Sequence, residues 1–237
     1  MKNNSKLNLT HTNKYMNKAG LILSKTFNEK QFNLYKRRLN SVNLTWCNQI
    51  IDLIENYNIN SIKDIGCNYF QFYKELKLRK LNKDYFGYDI DEKFIKLGLT
   101  KFPELKNKYK IGNCEKIKLF KTDFSVMSAV LEHSVNPMKL LDNVLGSTKK
   151  IICIRTHLGI KSQKIISKIQ KNQILPYNVN QFSFDIIENK LKKFNFKSFF
   201  ILDKSTNNSS KFKLINNAHK RYMYIVLGVK NKLPNLQ

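Results

Sequence analysis

The chain has 237 residues, 42% hydrophobic and 12% aromatic, enough to bury a core of single-domain size. Its formal charge is +26, but the excess is nearly all Lys, accompanied by abundant Asn and Ile, as AT-rich codon usage gives; the arginines are only Arg37, Arg38, Arg79, Arg155 and Arg221, fewer than a dedicated nucleic-acid surface calls for. No apolar run approaches the roughly 18 residues of a membrane span, the stretch 19–23 is too short for a signal-peptide core, and Cys47, Cys67, Cys114 and Cys153 form neither a C-x-x-C pair nor a zinc-spaced cluster. Reduced thiols, no metal, no membrane span and a cytoplasmic location are the expectations.

Residues 1 to about 18 are polar and without period, which predicts a loosely held arm. From Leu21 to Leu39 apolar and basic residues mix, predicting one or two short helices lying against the body. Residues 1–42 are therefore read as a basic arm with lid-like helices, and 43–237 as one domain. Trp46, Ile50, Leu53, Ile54 and Tyr57 recur at helical spacing before the strand "SIKDIG". A helix at about 69–78, a strand "KDYFGYDI", a helix at about 92–101 and a short strand at 109–111 follow. Asp91 reads as the cap of the helix starting at Glu92.

The second half repeats this rhythm. "DFSVMSAVL" is an apolar strand, and "NPMKLLDNVLG" is a helix with Asn136 as cap, Pro137 in its first turn and Gly146 as its stop. "KKIICIRT" is a buried strand. Ile160 to Lys171 has helical spacing, with lysines on one face and Ile165, Ile166 and Ile169 on another. A capped helix from Ser183 and the strands "KSFFIL" and "RYMYIVLGV" complete the chain. The fold class is thus α/β, a Rossmann-like, mainly parallel sheet of seven strands with helices on both faces.

In such sheets ligands sit beyond the carboxyl ends of the strands, near the reversal of strand order. Those ends carry Asp64-Ile65-Gly66-Cys67-Asn68, Asp89-Ile90-Asp91, Gly112-Asn113-Cys114-Glu115 and Glu132-His133. Neither the G-x-G-x-x-G dinucleotide fingerprint nor a P-loop is present.

Over roughly residues 43 to 230 this constellation resembles the class I S-adenosylmethionine-dependent methyltransferase family, of the type 11/12 kind. The family's D-x-G-x-G-x-G turn reads here Asp64, Gly66, Asn68 and Phe70, so two of its three glycines are replaced. Asn tolerates positive φ best among non-glycine residues. The Phe70 ring either crowds the methionine portion of the cofactor or points into the core. "YFGYDID" resembles the family's second strand end, whose acid, here Asp89, accepts from the ribose hydroxyls. "GNCEKI" resembles its adenine-reading loop with Asn113 for the usual Asp, and "DFSVMSAVLEHSVNP" its fourth strand and turn. "NQFSFDIIENKLKKFNF" resembles its late helix.

The resemblance implies S-adenosylmethionine as cofactor, an antiparallel last strand, and Asp64, Gly66, Cys67, Asn68, Asp89, Ile90, Asn113 and Cys114 as cofactor-binding residues. It places His133 at the strand end where a general base would stand; the bland alternative is a packed turn residue. Arg155, His157, Arg37, Arg38 and Tyr177 suggest an anionic small-molecule acceptor, such as a surface-sugar or secondary-metabolite precursor. Two alternatives stay open: an RNA methyltransferase using the basic surface, and a non-catalytic protein that keeps the fold, motivated by Asn68 and Phe70.

Overall fold

Strand-length apolar runs alternate with amphipathic helical ones, and that alternation builds a three-layer sandwich. The computed structural model describes residues 29–41, 44–164, 166, 177–203 and 222–230. Helices α1 (Glu29–Ser41) and α2 (Thr45–Ile54) lead into β1 (Ser61–Ile65). Then come α3 (Gln71–Leu78), β2 (Asp84–Asp89), α4 (Glu92–Leu99), β3 (Tyr109–Ile111) and β4 (Thr122–Ser128). The second half holds α5 (Pro137–Gly146), β5 (Thr148–Gly159), the two-residue β6 (Phe182–Ser183), α6 (Phe184–Lys193), β7 (Phe196–Leu202) and β8 (Tyr222–Lys230).

The strand order is β3-β2-β1-β4-β5-β8-β7, with β6 pairing β5 off the path. All pairings are parallel except those of β8, which runs antiparallel to β5 and to β7. The order reverses between β1 and β4, so the crevice expected for a ligand opens over their carboxyl ends. Central strands bury both faces: on β5, Ile151 and Cys153 join the core under α1 to α4, while Ile152 and Ile154 join the core under α5 and α6.

Two polar devices hold this frame. Lys63, in the middle of β1, is wholly buried, and its Nζ donates to the Ser147 carbonyl (2.5 Å), the Ser147 hydroxyl (2.7 Å) and the Phe120 carbonyl (3.3 Å). Its three donors thus anchor the end of α5 to the first strand; burial pushes the ammonium pKa down to about 7. At the other end of α5, Asn136 stands at the N-cap position but its side chain makes no cap bond, contrary to expectation. Glu115 takes that task from the preceding loop, accepting from the Ser134 hydroxyl (2.6 Å) and the amides of Val135 (3.1 Å) and Asn136 (3.2 Å). A carboxylate also complements the positive end of the helix. Glu115→Ala should therefore cost about 2 kcal/mol, at the upper range of a lost cap, read as a lower midpoint in urea denaturation.

One predicted helix is corrected. Of Ile160–Lys171, residues 160–164 and 166 are described, and they are bent or extended, with antiparallel bridges Gln163↔Gln181 and Ile166↔Asn178. Backbone pairing with the segment before β6 satisfies amides that a helix would have used, and β-branched Ile suits that extended form. The remainder of that stretch, the arm at 1–18, and the loop between β7 and β8 from residue 204 lie outside the described residues.

Candidate functional site

The turn after β1 keeps three left-handed residues with only one glycine. Gly66 (φ 73), Asn68 (φ 53) and Phe70 (φ 62) alternate with residues of ordinary φ. At Gly66 no substitute is possible without movement, because a Cβ would stand 2.2 Å from Val130 Cγ2. Asn68 supports its own conformation by accepting the Tyr69 amide on Oδ1 at 2.9 Å. Phe70 has no such local bond. Its ring is wholly buried, edge-on to Tyr85 (6.3 Å) and tilted against Tyr109 (6.3 Å), away from the turn's mouth.

The ring has room there because glycine stands opposite it. A Cβ on Gly98 of α4 would lie 2.5 Å from Phe70 Cδ2, and one on Gly87 of β2 would lie 3.1 Å from Phe70 Cε1. The glycine missing from the turn is matched by glycines on the two elements that receive the ring, a compensation invisible in the turn motif itself.

Asp89, at the tip of β2, faces this turn. Its Oδ2 accepts the Asn68 amide (2.7 Å) and its Oδ1 the Asp91 amide (2.8 Å). The Ile90 amide bears on it as well, so of the roughly four acceptor positions that a carboxylate offers, about one stays open. Burial raises its pKa to about 6, and the amides of Asp91 and Asn68 pull it back. Asp64 is more deeply buried, accepts the Tyr85 hydroxyl at 2.7 Å, and is pushed by burial to about 7. It buttresses the turn from inside the fold. Ile90 follows Asp89 and is half-buried.

The other residues expected in the set lie in the same turn and in the loop after β3. Asn113 Oδ1 accepts the Glu115 amide at 2.9 Å, an Asx turn that uses one of its two lone pairs. Cys67 and Cys114 are buried; burial holds the Cys67 thiol well above its ordinary range and pushes that of Cys114 up to about 12. Both behave as small apolar groups rather than as nucleophiles.

Beyond β4, Glu132 is buried and accepts the Thr156 hydroxyl at 2.9 Å, while its main-chain carbonyl receives the Asn180 amide at 2.9 Å. His133 lies half-exposed with Nδ1 at 2.6 Å from the Asn178 carbonyl. A carbonyl can only accept, so Nδ1 carries a proton, and in the neutral ring Nε2 then presents the lone pair. The ring stands edge-on to Tyr177 at 5.1 Å. The structure thus brings His133 and Tyr177 together.

Arg155 has another assignment. Its Nε and Nη2 both reach Asp203 Oδ2 at 2.8 Å, its guanidinium lies 5.5 Å from the Trp46 ring, and Asp203 is wholly buried. That ion pair neutralises the cation most central to the anionic-acceptor expectation. Arg37 and Arg38 sit on the exposed side of α1, with Arg38 over the Tyr35 ring. The pairing was hidden in the sequence because 48 positions separate its partners.

Among the described residues no cluster of His, Cys, Asp or Glu could hold a metal, and no helix is long and apolar enough to cross a membrane. Residues 63–150 match the family model described as methyltransferase domain. No curated protein matches the chain. Among solved structures, an S-adenosylmethionine-dependent methyltransferase from Clostridium acetobutylicum is 12% identical with a TM-score of 0.58, covering 85% of this chain and 98% of its own. Magnesium protoporphyrin IX methyltransferase from Synechocystis, with bound S-adenosylmethionine, is 16% identical at 0.56, covering 86% and 93%. The N-terminal domain of EvdMO1, solved with S-adenosylhomocysteine and D-fucose, is 12% identical at 0.59, covering 88% and 99%. The matched segment runs from the first strand through the turn, the acid-tipped second strand and the Glu132-His133 corner to the fifth strand. Residues 63–150 thus match a methyltransferase domain, and the chain shares its fold with solved S-adenosylmethionine-dependent methyltransferases.

Proposed function

We propose that this enzyme transfers the methyl group of S-adenosylmethionine to a hydroxyl of a small molecule, with a sugar or secondary-metabolite precursor as the acceptor class. The observation that carries the acceptor reading is the His133 tautomer: Nδ1 is committed to the Asn178 carbonyl, leaving Nε2 as a base. A hydroxyl needs its proton removed as it attacks, whereas a neutral amine does not. The EvdMO1 domain crystallised with D-fucose lends the sugar class support.

The residues present fit the cofactor. The left-handed turn of Gly66, Cys67 and Asn68 would hold its methionine portion, Asp89 and Ile90 its ribose, and Asn113 with Cys114 its adenine. When bound, it supplies an electrophilic methyl group on a sulfonium. The protein's share is alignment, exclusion of water and proton removal. Helix α1 packs over α4 through Phe32 against Phe94 (5.4 Å) and over the turn through Tyr35 against Tyr69 (6.3 Å), which supports α1 as a lid over the domain that follows it. With Arg155 engaged by Asp203, a neutral hydroxyl is favoured over an anion.

Titration calorimetry with S-adenosylmethionine and S-adenosylhomocysteine, followed by methyl transfer to matched hydroxyl and amine acceptors, tests the reading. Absence of binding, or transfer confined to amines, would overturn it. Within that test, Asp89→Ala should weaken binding roughly 10- to 100-fold, the worth of a charge-assisted bond. The pH dependence follows in sign. The ribose needs the ionised carboxylate, so affinity holds above about pH 6 and falls on acidification below it. The ligand-free fold responds oppositely: raised carboxylate pKa values at Asp64 and Asp89 give stability fully present below about pH 4 and lost progressively as pH rises from there through about 6 to 7.

A further inference from the structure

Total charge says little about partners in a Lys-rich chain, but one part of the surface combines charge with an aromatic ring held for contact. Phe120, in the loop before β4, is 56% exposed. It is nevertheless fixed on both sides of its backbone: its amide donates to the Tyr88 hydroxyl (2.9 Å) and its carbonyl accepts from buried Lys63 (3.3 Å). The ring stands edge-on against Phe86 at 4.9 Å. Phe120 is thus a large apolar side chain anchored through its backbone yet open to solvent.

The cations around it lack counter-charges. Lys118 and Lys121 flank Phe120 and are exposed; Lys110 is exposed and stands beside Tyr88 in the β2–β3 ladder, so it projects on the face that Phe86 and Tyr88 share with Phe120. None of the three is in an ion pair among the described residues. The acidic residues nearby are spent: Glu115 caps α5, Asp84 pairs with Lys108, and Asp123 pairs with Lys150. Phe120 and its flanking lysines precede β4 at its amino end, in the middle of the strand order, and the ring reaches over to Phe86 and Tyr88 of β2; Lys110 lies on the edge strand β3, in register with Tyr88.

We propose that this face binds single-stranded nucleic acid, with one base stacked on Phe120 and flanking phosphates on Lys110, Lys118 and Lys121. A fixed, exposed ring between cations is the combination that holds a single strand without reading its sequence, since every base has a π-face. An acidic peptide would match the charge but offers nothing periodic and planar to the ring.

Fluorescence anisotropy with a labelled oligouridylate of roughly a dozen nucleotides, measured between about 0.05 and 0.15 M salt, tests this on the full chain. Phe120→Ala should weaken binding roughly fivefold or more, and Phe120→Trp should retain it. Replacing Lys110, Lys118 and Lys121 by Gln should lower the salt slope by about 2, near 0.7 for each phosphate no longer neutralised. S-adenosylmethionine affinity and melting temperature should stay unchanged in all of these exposed-site variants. The proposal is overturned if Phe120→Ala binds as wild type does, if Lys192, Lys193 and Lys197→Gln on the far side weaken binding as much, or if oligoglutamate binds as tightly with the same dependence on Phe120.

Discussion

Phe70→Gly is expected to lower folding stability by roughly 2 to 4 kcal/mol while leaving S-adenosylmethionine affinity unchanged. Removing a buried aromatic ring costs roughly 3 to 5 kcal/mol. About 1 kcal/mol returns, because Phe70 holds φ 62 ahead of the first turn of α3 and Gly accepts that conformation without strain. Gly98→Ala supplies the partner test. Its new Cβ would press on Phe70 at 2.5 Å and on the Tyr69 backbone at 3.0 Å, so it should destabilise the wild type and cost less in the Phe70→Gly background, where only the backbone contact remains. Urea melts of the four proteins give the coupling, and calorimetry gives the affinities. Much tighter binding by Phe70→Gly would mean that the ring obstructs the cofactor in solution, and would revive the non-catalytic reading.

Element order was readable because each strand and helix carries its own period. The strand at Tyr109–Ile111 and the helix over α5 follow directly from turn residues and apolar spacing. The helix expected from Ile160 failed over its described residues, 160–164 and 166, because the helical spacing of Lys and Ile competes with a pairing to Gln181 and Asn178 that only tertiary structure supplies. The acid-tipped second strand was legible as a motif, since Asp89 needs only its own strand and the facing turn. What stayed hidden depends on residues far apart in sequence: the Phe70 ring against Gly98, Glu115 capping a helix 22 positions on at Pro137, and Arg155 meeting Asp203. Cys67 and Cys114 stood out in sequence by position alone, and burial removes their reactivity. A residue type at a strand end shows where chemistry can occur, but the partners that assign or cancel that chemistry arrive with the packing.

His133→Ala is expected to lower kcat roughly 10²- to 10⁴-fold, the range of general acid–base catalysis, with S-adenosylmethionine affinity retained. Loss of the ring removes Nε2 and leaves the buried Asn178 carbonyl without its donor, and water entering the space of the half-exposed imidazole can replace that bond. Two companion measurements separate base catalysis from packing. Added imidazole should restore part of the rate in His133→Ala, because it resupplies a base in the space vacated. Glu132→Gln should lose stability through its buried contact with Thr156 without imidazole rescue, because its carboxylate faces that hydroxyl inside the fold. A His133→Ala enzyme with an undiminished rate would mean that the acceptor arrives ready to attack, as an amine or an ionised group. The hydroxyl reading would then fall, while the assignment of the cofactor turn would stand on the Asp89 titration alone.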